Sequence, residues 1–286
     1  MAMDQKTLAN AFRNVARSRR SAKRFHPNRT IEGHVLKDVL ETSLVRTLAI
    51  GRFLGLSHFA HSLQRSPSSF NLQPSQIILV QSQETKNLLA EKAMLGAGNQ
   101  FRTRDSSALA VFLSDLELGS RIERIEHLER SSGTRDPNYL NVLPIAASFL
   151  SGEGHLATVA KQTATSLLSP IQAMPTVEPV QSWSSKNTGL LAQTFVMALT
   201  SHGLASCIME GFDDRRAKEV LRIPDRYAIP LMVATGYDYF DGEDESPPTP
   251  RLPLEEVVFD DTFGAPLKDL DNDDADELDN EQTSAV

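Results

Sequence analysis

An α/β (α+β) fold, with a mixed central sheet flanked by helices and one long central helix, is predicted from three observations. Helical and strand-like segments alternate along the chain. An uninterrupted helical pattern runs through the tract Trp183 to Ser201. The chain of 286 residues, with 40% hydrophobic content, is long enough to bury a sizeable core.

Taken in order, Lys6 to Val15 reads as a helix, followed by a basic loop and a second helix from Ile31 to Leu44. Gln76 to Gln81 reads as a strand after a turn-forming loop, and Glu84 to Leu95 as a helix. The short apolar run Ala108 to Leu113 reads as a buried strand. Residues 118–180 are variable in character, with a charged helix Ile122 to Arg130 and further helices at Val142 to Leu150 and Leu156 to Leu168. Leu191, Phe195, Ala198 and Leu199 recur at helical spacing in Ser184 to Ser201, and Leu190, Val196 and Met197 widen that stripe, so this helix is predicted to be buried over much of its circumference. Gly203 marks its C-cap. Strand Ala205 to Met209, helix Arg215 to Leu221 and strand Leu231 to Tyr237 complete the core.

Four segments carry chemistry. Arg17 to Phe25 reads RSRRSAKRF, in which Arg19, Arg20, Ser21 and Lys23 offer bidentate forks, a hydroxyl and a point charge suited to one phosphoryl group. Ser66 to Pro74 reads SPSSFNLQP, whose amides at Asn71 and Gln73 suit the edge of a heteroaromatic ring. The turn Met209, Glu210 and Gly211 lacks a Cβ at its last position, where backbone can approach a flat ligand, although an ordinary surface turn gives the same pattern. Arg251 follows the Pro-rich turn Ser246 to Pro250.

Together and in this order the segments resemble the FMN-dependent nitroreductase family, over roughly Ala9 to Phe259. The resemblance implies that Arg19, Arg20, Ser21 and Lys23 hold the FMN phosphate and ring edge, and that Pro67, Ser68, Ser69, Asn71 and Gln73 form the loop PSSxNxQP. Ser75 stands where the family usually has Trp, which leaves the packing near the flavin open. Ile208 to Gly211, with Met209, Glu210 and Gly211, is similar to the segment beside the flavin ring, and Arg251 to a late phosphate contact. Thr249 replaces the usual Lys of that clamp. By the same resemblance residues 118–180 form a lid, NADH or NADPH is the reductant, and a quinone, nitroaromatic or related small electrophile is the acceptor in ping-pong turnover. It also implies a homodimer in which the loop of one subunit meets FMN held by the other. No side chain is assigned as catalytic, because the redox chemistry belongs to the cofactor. A flavin-sequestering or interaction protein of the same fold, without turnover, is the alternative. Bleaching of bound FMN by NADPH separates the two.

Composition narrows the field further. No window is apolar enough for a membrane span, the seven histidines are scattered without metal-ligand spacing, and GxSxG, GxxxxGK[ST] and dinucleotide fingerprints are absent. No metal, nucleic-acid or membrane partner is expected. Cys207 has no disulfide partner in the chain, which points to a reducing, cytoplasmic setting, and its apolar neighbours read as buried packing. From Ala265 onward eight acidic residues face one lysine, so residues 265–286 carry most of the formal net charge of −8 and read as a solvated, disordered tail on a domain spanning 1–264. The basic tract Thr7 to Arg24 also has the composition of an organelle-targeting peptide, though its removal would remove the phosphate site.

One segment lies outside the family pattern. Val45 to Gln64 adds 20 residues without an acid. Three readings stay open: an amphipathic helix for a membrane or partner, a surface insertion, or a translated intron, since Val45-Arg46 and Leu63-Gln64 are encodable by splice-site-like ends.

Overall fold

The computed structural model describes residues 4–43, 66–133, 135–150, 154–240 and 249–267. Val45 to Gln64 and most of the acidic tail lie outside the described residues. The chain divides into two compact units, Met1–Asp244 and Glu245–Val286.

The first unit opens with helix α1 (Gln5–Ser18), capped by Asp4, whose carboxylate accepts from the Thr7 amide at 2.9 Å and its hydroxyl at 2.6 Å. Helix α2 (Gly33–Ser43) follows. Ser66 Oγ donates to the Ser43 carbonyl at 3.1 Å, so the flanks of the inserted segment touch. Strand β1 (Ser75–Val80) leads into helices α3 (Gln83–Lys92) and α4 (Gly96–Asp105), then strand β2 (Ala108–Asp115). Helices α5 (Gly119–Ser132), α6 (Pro137–Leu150) and α7 (His155–Leu168) precede the 22-residue helix α8 (Val180–Ser201). Strand β3 (Ala205–Met209), helix α9 (Asp214–Leu221) and strand β4 (Tyr227–Gly236) finish the unit.

The strands form one sheet in the order β1-β2-β4-β3, antiparallel at every pair. Among the described residues the parallel component of the predicted mixed sheet is confined to the bridge Ser21 to Ser206, with the Ala22 amide donating to the Ser206 carbonyl at 2.8 Å. The reason is the α3–α4 pair, which turns back on itself and returns the chain to the end where β1 finished, opposing Val80 to Leu109. Successive β2 side chains feed two layers. Leu109, Val111 and Leu113 pack with α3 and α9 residues, while Ala108, Ala110 and Phe112 pack against α2 and α8. A third cluster joins Leu72, Leu118, Ile122, Ile125, Leu140, Leu143 and Trp183.

Three sequence boundaries need correction. The expected helix Glu84 to Leu95 stops at Lys92 because Met94 bridges to Phe212 and the Leu95 amide donates to the Gly211 carbonyl at 2.9 Å. A separate helix, α4, then follows; its two glycines and weak apolar periodicity hid it. Strand β4 begins at Tyr227, upstream of the expected Leu231, because a bulge between Phe112 and Ser114 takes up Pro230, which has no amide to give the ladder. Helix α6 starts at Pro137, where the Asp136 carboxylate accepts from the Asn138 amide at 2.8 Å and proline occupies the first helical position. The predicted Gly203 cap is present: φ is +68°, the Leu204 amide reaches the Leu199 carbonyl and the Gly203 amide that of Thr200, a Schellman closure.

Candidate active site

The predicted site residues other than Arg251 lie at two places in the first unit. At the β3 edge, the extended segment after α1 lies beside Ser206, with Ala22 and Phe25 buried as its anchors. Arg19 and Arg20 line a cavity of about 410 Å³ together with Arg29, Thr200, Tyr237 and Asp238. The Arg29 guanidinium stacks on the Tyr237 ring at 4.0 Å, and the Asp238 carboxylate is occupied in accepting the Phe240 amide at 3.1 Å. Ser21 and Lys23 are not among the residues that line this cavity.

Met209, Glu210 and Gly211 end the same strand. Met209 is buried, Glu210 exposed. The missing Cβ of Gly211 is used by the protein itself: a Cβ there would collide with the Asn99 amide. Asn99 Nδ2 donates to the Leu95 carbonyl at 3.1 Å and to the Gly211 carbonyl at 3.2 Å. Arg102, one turn further along α4, donates from Nη1 to Asn99 Oδ1 at 3.3 Å and from Nε to the Ala22 carbonyl at 3.2 Å. The path from Ala22 through Arg102 and Asn99 to Gly211 therefore ties the basic segment to the turn. Sequence reading missed both residues. Their i, i+3 spacing is the signal that pairs them on one helix face, and it went unread with the helix.

Cys207, on β3 between these segments, is buried; burial pushes its thiol pKa up, against the opposing pull of Arg102. This fits packing and not nucleophilic use.

The second place is the loop Pro67 to Pro74, on the β1 edge. Phe70, Asn71 and Gln73 all have left-handed backbone, at φ of 54°, 55° and 47°. The Ser69 amide donates to Asn187 Oδ1 on α8 at 2.7 Å, the Gln73 amide to Ser68 Oγ at 3.1 Å, and Arg121 Nη1 to the Gln73 carbonyl at 2.7 Å. Ser75, the departure from the family's Trp, joins a hydroxyl trio: it lies 2.8 Å from Thr188 Oγ1, which also receives Ser114 at 2.8 Å and donates to the Ser184 carbonyl. Behind the loop, Asp115 is fully buried and bound by Arg121 and by both Nε and Nη2 of Arg226. Burial alone would raise its pKa, but the bonds from Arg226, Arg121 and the Glu117 amide outweigh it and hold the carboxyl below its ordinary range.

Ser75 opposes Ser114 near the end of β2, whereas Met209 opposes Met232, itself level with Val111 in the middle of β2. They sit on opposite edges, separated by three strand spacings, roughly 14 Å across the sheet, and offset by three residues along it. Arg251 belongs to the second unit, where its Nη1 donates to the carbonyls of Thr249 at 3.1 Å and Pro250 at 3.0 Å.

The sequence model described as the nitroreductase family matches residues 16–237, most of the chain. The chain belongs to the nitroreductase family. A relative from Thermus thermophilus named NADH dehydrogenase is 28% identical over 247 residues, covering 86% of this chain and 94% of the relative. A Streptococcus pyogenes protein named as an NAD(P)H nitroreductase is 26% identical over 196 residues, 68% of this chain and 81% of the relative. The family fold recurs in a crystal structure of an Exiguobacterium sibiricum nitroreductase in complex with FMN, with a TM-score of 0.60, 20% identity, and coverage of 90% of this chain and 97% of that one. Among the described residues no helix is long and apolar enough to cross a membrane.

Proposed function

We propose that the chain is an FMN-dependent oxidoreductase that uses NADH or NADPH to reduce quinones, nitroaromatics or related small electrophiles. The observation that carries this reading is the hydrogen-bonded tie from Ala22 through Arg102 and Asn99 to Gly211, which holds a cation-lined cavity and a strand-end turn along one edge of the sheet. The donor set suits a phosphorylated, flat ligand. Arg19 and Arg20, with Arg29 in the same cavity, meet the charge of a phosphate; Ser21 and Lys23 extend along β3; Met209 to Gly211 carry backbone to the ring. Arg102 places a fixed positive charge between the two segments, where it favours an electron-rich ligand. The chemistry supplied by FMN when bound is two-electron transfer between a nicotinamide and an electrophilic acceptor.

The loop with Asn71 and Gln73 sits on the other edge of the sheet, which favours a homodimer in which this loop serves the partner's cofactor. Arg251 is assigned to the phosphate by family likeness. One open face shared by reductant and acceptor gives ping-pong turnover, and residues 118–180 select the acceptor. A visible spectrum of the purified protein with added FMN, followed by NADH or NADPH under anaerobic conditions, tests the proposal. Retention of a flavin band and its bleaching are expected. Absence of bound flavin would overturn it, and a retained band that neither nicotinamide bleaches would favour sequestration.

A further inference from the structure

The two loop amides do different jobs. Asn71 Nδ2 donates to Glu129 Oε1 on α5 at 2.9 Å, and Asn71 Oδ1 accepts from Gln73 Nε2 at 3.1 Å. A carboxylate at neutral pH only accepts, so Glu129 dictates that the nitrogen of Asn71 faces it and the oxygen faces Gln73. That orientation in turn requires the nitrogen of Gln73 to face Asn71. The Gln73 side chain keeps its Oε1 and one N–H for a ligand, a pair that matches an adjacent N–H and C=O on a flat ring.

Glu129 is only 6% exposed. Its other oxygen, Oε2, is buried, accepts no hydrogen bond and faces Arg135 Nε at 3.5 Å. A buried carboxylate whose bond to Asn71 spans 58 residues of sequence is costly to retain for packing alone. The loop it reaches is the most strained backbone among the described residues, with three non-glycine residues in the left-handed region inside four positions. Such a conformation persists only where surrounding bonds over-determine it. Arg121 holds the Gln73 carbonyl and Asn187 the Ser69 amide, but Glu129 alone among these three grips a side chain that touches Gln73.

We propose that Glu129 is a positioning residue that orients Gln73, through Asn71, toward the edge of the bound flat ring. Asn71 is a strut and Gln73 the reader. Glu129 lies in the region expected to select the acceptor, so its hydrogen bond to Asn71 links that region to the loop. The ligand in this inference rests on the flavin reading above.

The experiment uses the full-length chain and has two arms. In the first, without flavin, amide hydrogen exchange across residues 68–74 is compared for wild type, Glu129→Ala and Glu129→Gln. Exchange about tenfold faster in Glu129→Ala, as loss of one hydrogen bond to a charged group implies, and near wild type in Glu129→Gln, which keeps an acceptor, is expected. In the second, FMN is titrated into wild type, Glu129→Ala, Asn71→Ala and the double variant. Each single change should weaken binding about tenfold, and the double variant should bind no more weakly than Asn71→Ala. Unchanged exchange in Glu129→Ala, or losses that simply add in the double variant, would overturn the proposal. Should Glu129→Ala not fold, Asn71→Ala breaks the same bond from the loop side, and wild-type exchange in that variant would be equally decisive. If wild type binds no FMN, the flavin reading falls while the exchange arm still judges Glu129.

Discussion

Replacing Asp115 with Asn removes one charge from a buried site and leaves the volume almost unchanged. Three charge-assisted bonds reach the carboxylate: Arg121 Nε at 2.7 Å, Arg226 Nε at 2.9 Å and Arg226 Nη2 at 2.6 Å, with the Glu117 amide at 3.1 Å as a fourth donor. An Asn amide turns an N–H toward one of the guanidiniums, so at least one bond is lost and two cations face a neutral group. Breaking a buried pair from one side costs about 3 to 5 kcal/mol. Arg121 and Arg226 keep water access, at 21% and 32% side-chain exposure, which puts the cost at the lower end, about 3 kcal/mol. The melting temperature should then fall by about 6 to 12 °C, at about 2 to 4 °C per kcal/mol for a domain near this size. The assay is thermal and urea unfolding followed by circular dichroism. The sign of the pH dependence follows from the depressed native pKa. Asp115 stabilises fully above the unfolded-chain carboxylate pKa, and its contribution is lost as pH falls through the lower native value, so the gap between wild type and Asp115→Asn should narrow in acid. A loss below about 1 kcal/mol at pH 7, within the range of a surface ion pair, or a gap that widens in acid, would refute the reasoning.

Other outcomes are equally specific. The Arg19→Ala, Arg20→Ala double variant should weaken FMN binding by about 1.5 to 3 kcal/mol for each charge-assisted contact removed; isothermal titration showing unchanged affinity would reject the assignment. Gly211→Ala must displace the Asn99 amide from two carbonyls, so stability should drop by about 1 to 3 kcal/mol and FMN affinity with it, and a variant matching wild type in both would show that the turn has slack. Sedimentation should find a dimer in the flavin-loaded protein, with an active monomer at micromolar concentration counting against shared sites. Deleting Val45 to Gln64 should preserve the fold, because Ser43 and Ser66 already touch and Leu44 with Arg65 suffices to join them; lost flavin binding on deletion would favour a functional insertion.

Much of the fold was legible because its signals are local. Apolar runs in Ala108 to Leu113 and Ala205 to Met209 are too short for helices and read as strands, and the Gly203 stop is written in one residue. What stayed hidden depends on partners far along the chain. Helix α4 has little apolar face, and its place is set by what Asn99 reaches at Gly211, just past β3, and what Arg102 reaches at the Ala22 carbonyl. The upstream half of β4 is a strand only because β4 bulges at Ile229 and Pro230, opposite Leu113 of β2. No window of sequence contains either fact.

The same division runs through the site. Arg19, Arg20 and Gly211 were proposed from their neighbours in sequence, yet what joins Ala22, just after the arginines, to Gly211 is a pair of side chains from α4. Asn71 and Gln73 looked equivalent as alternate amides in one loop; only the carboxylate of Glu129, 58 residues away, distinguishes the strut from the reader. Residue types at short spacing thus announce what a ligand would need, whereas long-range hydrogen bonds decide which atoms are left to give it. Variants of α4 and α5 should therefore change flavin binding as strongly as variants of the motifs themselves.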